Sequence, residues 1–469
     1  MALVIVALTL VIGGAVQAML NLPDLQPWHR LVPRAELRAA DLNEAFTLEQ
    51  YLKREAEVFD EVRDRVEAPV TASSSPAVTN RYQSASISSP RQVGQDWNRT
   101  YELTPATVRG GALLIHGLTD GPYSMRAIAA ALHAQGYYIL ALRMPGHGSV
   151  PGGLTQATAE DWMAAVRLGV RHVRRTVGAD RPIVVVGYSN GGALAVRYAL
   201  EAAGDPRLPA PSRLVLLSPM IGVSPLARLA RVISALGPLP FFEKARWLEI
   251  VPEYNPFKFN SFPANAGNQS YRVSSLLKAE ILAAAGNGSI ERLPPILTFQ
   301  SIVDSTVSTA AVVHDLFDQL RGKGHELVVF DINRRAGLEP YIRPSDAALV
   351  GTLAAGGPRL YRRTLITNAS SDVQDVVARS VAPQQTATED TPLGLAWPEQ
   401  VFSLSHVALP FAIDDPVYGS APPPGRSIAL GRLSPRGEKG VLTVPVEVLM
   451  RIGWNPFLPY VLNRIGSAN

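Results

Sequence analysis

Residues 182–202 read PIVVVGYSNGGALAVRYALEA. Ile183 to Val186 form a β-branched run, the pattern of a strand buried on both faces. A helix of small residues, beginning GGALA, follows at once. Between strand and helix stands Gly187-Tyr188-Ser189-Asn190-Gly191, a G-x-S-x-G. Direct succession of strand, serine and helix leaves no loop, so Ser189 sits on a tight, strained turn with its hydroxyl presented outward. The glycines two residues to either side permit that turn, because a Cβ at either position would meet neighbouring backbone. The start of the helix then offers unpaired N–H groups to any negative charge developing at the serine. An ordinary glycine turn carrying a solvated serine has the same five letters; the flanking strand and helix separate the two readings.

Working outward, the same alternation repeats. GALLIHG (111–117) predicts a buried strand ending in a glycine turn, and SMRAIAAALHAQG (124–136) a helix closed by Gly136. YYILALRMPGHG (137–148) is strand plus loop, AEDWMAAVRLGVRHVRRT (159–176) an amphipathic helix, and RLVLLSPM (213–220) another strand. PPILTFQSIVDSTV (294–307) and HELVVFDIN (325–333) give two more. Short apolar strands alternating with amphipathic helices predict an α/β fold: a doubly wound, mostly parallel sheet covered on both faces. The core is expected over 101–221 and 294–469. Residues 222–293 break the rhythm with aromatic and proline clusters such as PEYNPFKFNSFP (252–263) and are expected to form a helical cap or lid. Residues 334–401 read as an insertion, either beside the site or on the surface, with a candidate extra strand at YRRTLITN (361–368). Residues 21–100 read as a helical extension, helical over 41–67 with a polar linker from Pro69 to Pro76. The apolar, proline-broken 444–466 is expected to pack on the core or lie at an interface, not to span.

The chain has 469 residues, 47% of them hydrophobic and 18% charged, which supports a large core and excludes wholesale disorder. Lys and Arg number 44 against 40 Asp and Glu, a net +4 without long runs, so no nucleic-acid partner is expected. Cysteine is absent. Disulfides, thiolate metal sites and thiol nucleophiles are thereby excluded, and covalent catalysis falls to a non-thiol group. Neither a metal-binding spacing nor a nucleotide-binding glycine loop occurs, so neither metal nor cofactor is expected. ALVIVALTLVIGGAVQAML (2–20) reads as an uncleaved anchor, a cleaved signal, or the product of a mis-set start. Either of the first two gives a membrane-anchored or exported protein, with a membrane surface as a partner and the side left open.

LLIHGLTDGPYSM (113–125), RMPGHG (143–148), GYSNGG (187–192), IVDSTV (302–307) and LSHVALPF (404–411) follow one another in the chain. Together they resemble the α/β-hydrolase family, in its lipolytic esterase, monoacylglycerol lipase and lysophospholipase branch. The resemblance implies a Ser-His-Asp triad: Ser189 as nucleophile, Asp304 as acid and His406 as base, in the family's chain order. It implies an oxyanion hole from the backbone amides of Leu118 and Asn190. Of the eight histidines, His406 alone follows the last predicted strand of the expected core. His116 and His147 belong to loops and read as structural. Asp304 also suits a helix N-cap, and Asp331 is the alternative acid. The gap of 102 residues from Asp304 to His406 is longer than the resemblance implies, and 334–401 accounts for it. Tyr188, Trp247 and Phe257 are candidate substrate-binding residues; the cap aromatics either line an acyl tunnel or pack the cap onto the core.

The expected activity is hydrolysis of a carboxylic ester, an acyl ester or lysolipid, through an acyl-enzyme on Ser189. A serine aminopeptidase on the same fold is the alternative, although no clear acidic cluster for a substrate amine is visible: Glu243, Glu249 and Glu253 alternate with Lys244 and Arg246. A membrane-tethered, non-catalytic scaffold is a third reading. Oligomeric state is open.

Overall fold

A computed structural model describes residues 21–73, 79–222, 240–342, 344–355, 357–424, 429–433 and 441–467. The hydrophobic stretch at 2–20 lies outside them. Among the described residues, no helix is long and apolar enough to cross a membrane.

In chain order the strands are β1 (Tyr101–Leu103), β2 (Gly110–Ile115), β3 (Tyr137–Leu142), β4 (Ile183–Tyr188), β5 (Arg213–Leu217), β6 (Trp247–Glu249), β7 (Phe262–Pro263), β8 (Ile296–Ser301), β9 (Glu326–Phe330), β10 (Arg362–Asn368), β11 (Asp375–Val381) and β12 (Thr388–Ala396). All but β6 and β7 join one ten-stranded sheet in the order β1-β3-β2-β4-β5-β8-β9-β10-β11-β12. From β3 to β10 every pairing is parallel; β1 at one edge and β11 and β12 at the other run antiparallel. The main helices are α1 (Leu48–Val62), α2 (Arg126–Ala134), α3 (Ala159–Val177), α4 (Asn190–Gly204), α5 (Ala264–Gly286), α6 (Pro344–Ala355) and α7 (Leu458–Ser467).

The continuous apolar runs of the strands feed two cores, because successive side chains leave opposite faces of the sheet. Leu113, Ile115, Val185 and Leu216 enter one layer with α3, α4 and α5. Ala112, Leu114, Val186 and Leu217 enter the other with α2 and α7. The carboxyl-terminal segment therefore packs on the core through Phe457, Leu458, Val461 and Ile465.

Three regions depart from expectation. The predicted linker is helical as far as Ser73: α1 continues through a π-turn (Arg63–Glu67) into a helical segment at Ala68–Ser73. Val66 and Val70 are buried there with Trp28, Leu31 and Tyr82, and this burial outweighs the polar composition of the segment. Residues 264–286, expected in the cap, are α5 and belong to the helical layer; Val273, Leu277 and Ile281 are fully buried in it. Finally, 334–401 lengthens the sheet. The chain leaves β9, forms α6 and β10 to β12, and returns beside its point of departure, where Asn333 N–H donates to Phe402 O at 2.7 Å and Ile332 bridges Ser403.

The amino-terminal extension is clamped to the core by a buried ion network. Arg143, fully buried, pairs with Glu36 and Glu55 at 3.0 Å each and donates to His147 O at 2.9 Å. Tyr51 of α1 donates to Arg143 O.

Candidate active site

Ser189 joins β4 directly to α4 with φ 55° and ψ −117°, a conformation that a Cβ-bearing residue adopts only under strain. Register explains the fit. A Cβ on Gly187 would lie 2.4 Å from Gly191 O, and one on Gly191 would lie 2.2 Å from Ile115 O. Only glycines let the turn pack this closely on β2 and the head of α4. The next strand end holds the serine in place: Ser189 N–H donates to Leu217 O at 2.9 Å, and Met220 N–H to Ser189 O at 3.0 Å.

Asp304 follows β8. Its carboxylate is wholly buried and fully engaged: Oδ1 accepts from the amides of Thr306 (2.8 Å) and Val307 (2.9 Å). Oδ2 accepts from Ser218 Oγ (2.9 Å) and Gln300 Nε2 (3.2 Å), and lies 2.9 Å from His406 Nδ1. Burial by itself pushes this carboxyl up; His406 and the two amides outweigh it and hold Asp304 below the ordinary carboxylate range. An ionised carboxylate only accepts, so His406 Nδ1 carries the proton and Nε2 is left with a lone pair. His406 lies against the residue before the serine: its ring is 5.3 Å from that of Tyr188, whose hydroxyl donates to His406 O at 3.4 Å.

The turn after β2 approaches from the other side. A Cβ on Gly117 would meet Ser189 Cβ at 3.2 Å, which sets Leu118 beside the serine. Thr119 has φ 61°, and its carbonyl accepts from Phe259 N–H at 2.7 Å. The backbone N–H groups of Leu118 and Asn190 have no partner among the described residues. His116 is spent on structure, bonding Gly117 O through Nδ1 and accepting from Met144 N–H through Nε2. Burial lowers its pKa well below the usual value, and lowers that of His147 to about 4. Asp331 is taken by Arg334 at 2.9 Å.

A cavity of about 140 Å³ is lined by Tyr188 and Val407, the chain neighbours of Ser189 and His406, together with Asp120, Tyr254, Lys258 and Arg451. Trp247 and Phe257 do not line it. Trp247 packs on His29 at 4.7 Å and on Leu25 of the extension. Phe257 stacks on Tyr123 at 4.0 Å, behind the wall. Both rings fasten neighbouring segments together. No group of metal-ligating side chains occurs among the described residues.

A sequence model of the family described as serine aminopeptidase, S33, matches residues 106–255, the span holding the HG turn, the PGHG loop and the serine elbow. The chain has the α/β-hydrolase fold. Its curated relatives lie on the lipolytic branch. A thermostable monoacylglycerol lipase from Bacillus sp. (strain H-257) is 36% identical over 89 residues, 19% of this chain and 34% of that one, so the match spans about a third of the relative's length. Lipase LipV of Mycobacterium tuberculosis is 26% identical over 252 residues, 51% of this chain and 90% of the relative. Among solved structures, a monoacylglycerol lipase of Paleococcus ferrophilus covers 50% of this chain and 89% of its own at 20% identity, with a TM-score of 0.37.

Sequence reasoning missed Ser218, Asp120, Lys258 and Arg451. Ser218 carried a weak signal, since it ends a predicted strand next to the elbow strand. Arg451 and Lys258 carried none, because they reach the cavity from segments far apart in the chain.

Proposed function

We propose that this α/β-hydrolase is a serine carboxylic-ester hydrolase of the esterase or lipase kind, acting on acyl esters or lysolipids. The observation that carries the reading is the strained Ser189 at the head of α4, beside a buried His406–Asp304 pair at 2.9 Å. His406 Nε2 takes the hydroxyl proton as Oγ attacks the ester carbonyl. Asp304 holds the ring in the required tautomer and stabilises the imidazolium. The unpaired amides of Leu118 and Asn190 receive the developing oxyanion; in such sites one donor is worth on the order of 3 kcal/mol. The imidazolium then protonates the departing alcohol, and water repeats the cycle on the acyl-enzyme. The relatives named as lipases support the same chemistry.

The aminopeptidase reading needs an anionic pocket for a substrate amine. Glu253 is buried and committed to the amides of Asn260 and Ser261, Glu243 pairs with Arg30, and the cavity wall carries Lys258 and Arg451. This balance favours the ester reading.

The test is hydrolysis of p-nitrophenyl esters from acetate to palmitate by the full chain and by Ser189→Ala. The expected result is a drop in kcat on the order of 10⁴-fold or more in the variant, with the chain-length optimum sizing the pocket. A folded wild type that cleaves no ester and resists fluorophosphonate labelling would refute the reading.

A further inference from the structure

The cavity beside Ser189 has an electrostatic character that ester hydrolysis itself does not require. Tyr188 precedes the serine and Val407 follows His406, so the cavity neighbours the reacting centre, with Phe411, Leu430 and Leu449 among its apolar walls. Its volume of about 140 Å³ accepts a small group, since cavities of this size hold about a benzene ring. Into it project two cations, Lys258 and Arg451, and one carboxyl, Asp120. Neither cation has a carboxylate within 4.0 Å among the described residues. Arg451 is held in place by donating to Thr306 Oγ1 at 3.3 Å, on the loop that carries Asp304. Asp120 is buried and accepts from Gly121 N–H at 2.9 Å, which orients it.

With Lys258 protonated, the lining carries one positive charge in excess. Burial lowers the ammonium of Lys258 below its usual range; Asp120 opposes that shift and Arg451 adds to it. Burial pushes Asp120 up to about 6, still ionised at pH 7 to 8. Two cations near one carboxylate, in a partly enclosed cavity, leave a net positive charge that a neutral ester does not satisfy.

We infer that this cavity binds an anionic group, carboxylate or phosphate, carried by the ester substrate, with Lys258 and Arg451 as specificity-determining residues. The inference rests on the ester-hydrolase reading. It takes two forms: the anion sits on the acyl part, as in a dicarboxylic monoester, or on the alcohol part, as in an acylglycerol phosphate.

Two substrate pairs separate these forms: p-nitrophenyl hemiglutarate against p-nitrophenyl valerate, and 1-butyrylglycerol 3-phosphate against 1-butyrylglycerol. In one pair the wild type should prefer the anionic member. The ratio of kcat/KM, anionic over neutral, should fall about tenfold or more in Lys258→Met and in Arg451→Gln, as expected for loss of a hydrogen bond to a charged group. Wild-type ratios near one in both pairs, or ratios unchanged in both variants, overturn the inference. A second measurement does not depend on turnover: calorimetry of Ser189→Ala with glutarate and with glycerol 3-phosphate, repeated with Lys258→Met and Arg451→Gln added singly. Binding that is lost in either double variant, even with no ester cleaved, upholds the pocket while the hydrolase reading fails. Cleavage without charge preference and without anion binding does the reverse.

Discussion

Asp304 shows how much of the site hangs on one side chain. Both carboxylate oxygens are saturated with donors, and His406 Nδ1 is one of them. Asp304→Asn keeps the shape but presents an NH₂ or a carbonyl where His406 needs an anion, so the imidazole loses its reason to carry the proton on Nδ1. Its kcat on the preferred ester should fall on the order of 10⁴-fold, while the fold and the melting temperature stay near those of the wild type; an unchanged kcat would remove Asp304 from the mechanism. At this scale legibility followed distance along the chain. Ser189 was read from one contiguous stretch, because a strained turn needs its glycines within two residues. Asp304 and His406 came only from a resemblance, and the structure brings them to 2.9 Å across 102 residues. Lys258 and Arg451 had no local pattern at all. Composition alone points to Trp247 and Phe257, and composition does not distinguish a ring that lines a cavity from one that packs elsewhere.

The elements of the parallel sheet were legible because each strand is buried on both faces and so reads as an unbroken apolar run. The extension was legible as a helix but not as a docked one. Its attachment depends on Arg143, whose two carboxylate partners, Glu36 and Glu55, lie more than eighty residues upstream. Without Glu55, Arg143 keeps Glu36, but its buried Nε–H and the Thr100 amide lose their acceptor, and an unsatisfied buried donor costs about 1–3 kcal/mol. Glu55→Ala should therefore lower the free energy of unfolding in urea by about 1–3 kcal/mol, with loss of amide protection over α1 and the RMPGHG loop (143–148). A change of under 1 kcal/mol would show that the clamp is dispensable. The sheet extension was half legible: β10 was anticipated, whereas β12, mostly exposed and carrying Glu389, Asp390 and Pro392, has no strand signature. It forms because β11 offers it a free edge, and its charges and proline leave little for a further strand to join.

For the molecule as a whole, the buried histidines set the response to acid. Burial lowers His29, His147 and His325 to about 4. In the unfolded chain each takes a proton below about 6.5. Stability is thus full above 6.5 and declines as pH falls through 6.5 to 4, because over that window only the unfolded state gains the protons. Asp304, held below its ordinary value, adds a further loss at lower pH, as the fold's carboxylate is finally protonated. The urea midpoint should fall steadily between pH 7 and pH 4.5, and His325→Asn, whose side-chain oxygen can still accept from Ile296 N–H, should fall less. A flat profile would mean that these rings titrate normally in the fold.

The hydrogen bond from Asn333 to Phe402 closes the excursion that carries β10 to β12. Like a suture, it joins the two lips of the detour directly, beside the pairing of β9 with β10. Connection between the halves that carry Asp304 and His406 is therefore spatial before it is covalent. Residues 383–387, exposed between β11 and β12, are a place where the polypeptide can be interrupted, lengthened or given new ends while Asp304 and His406 keep their positions.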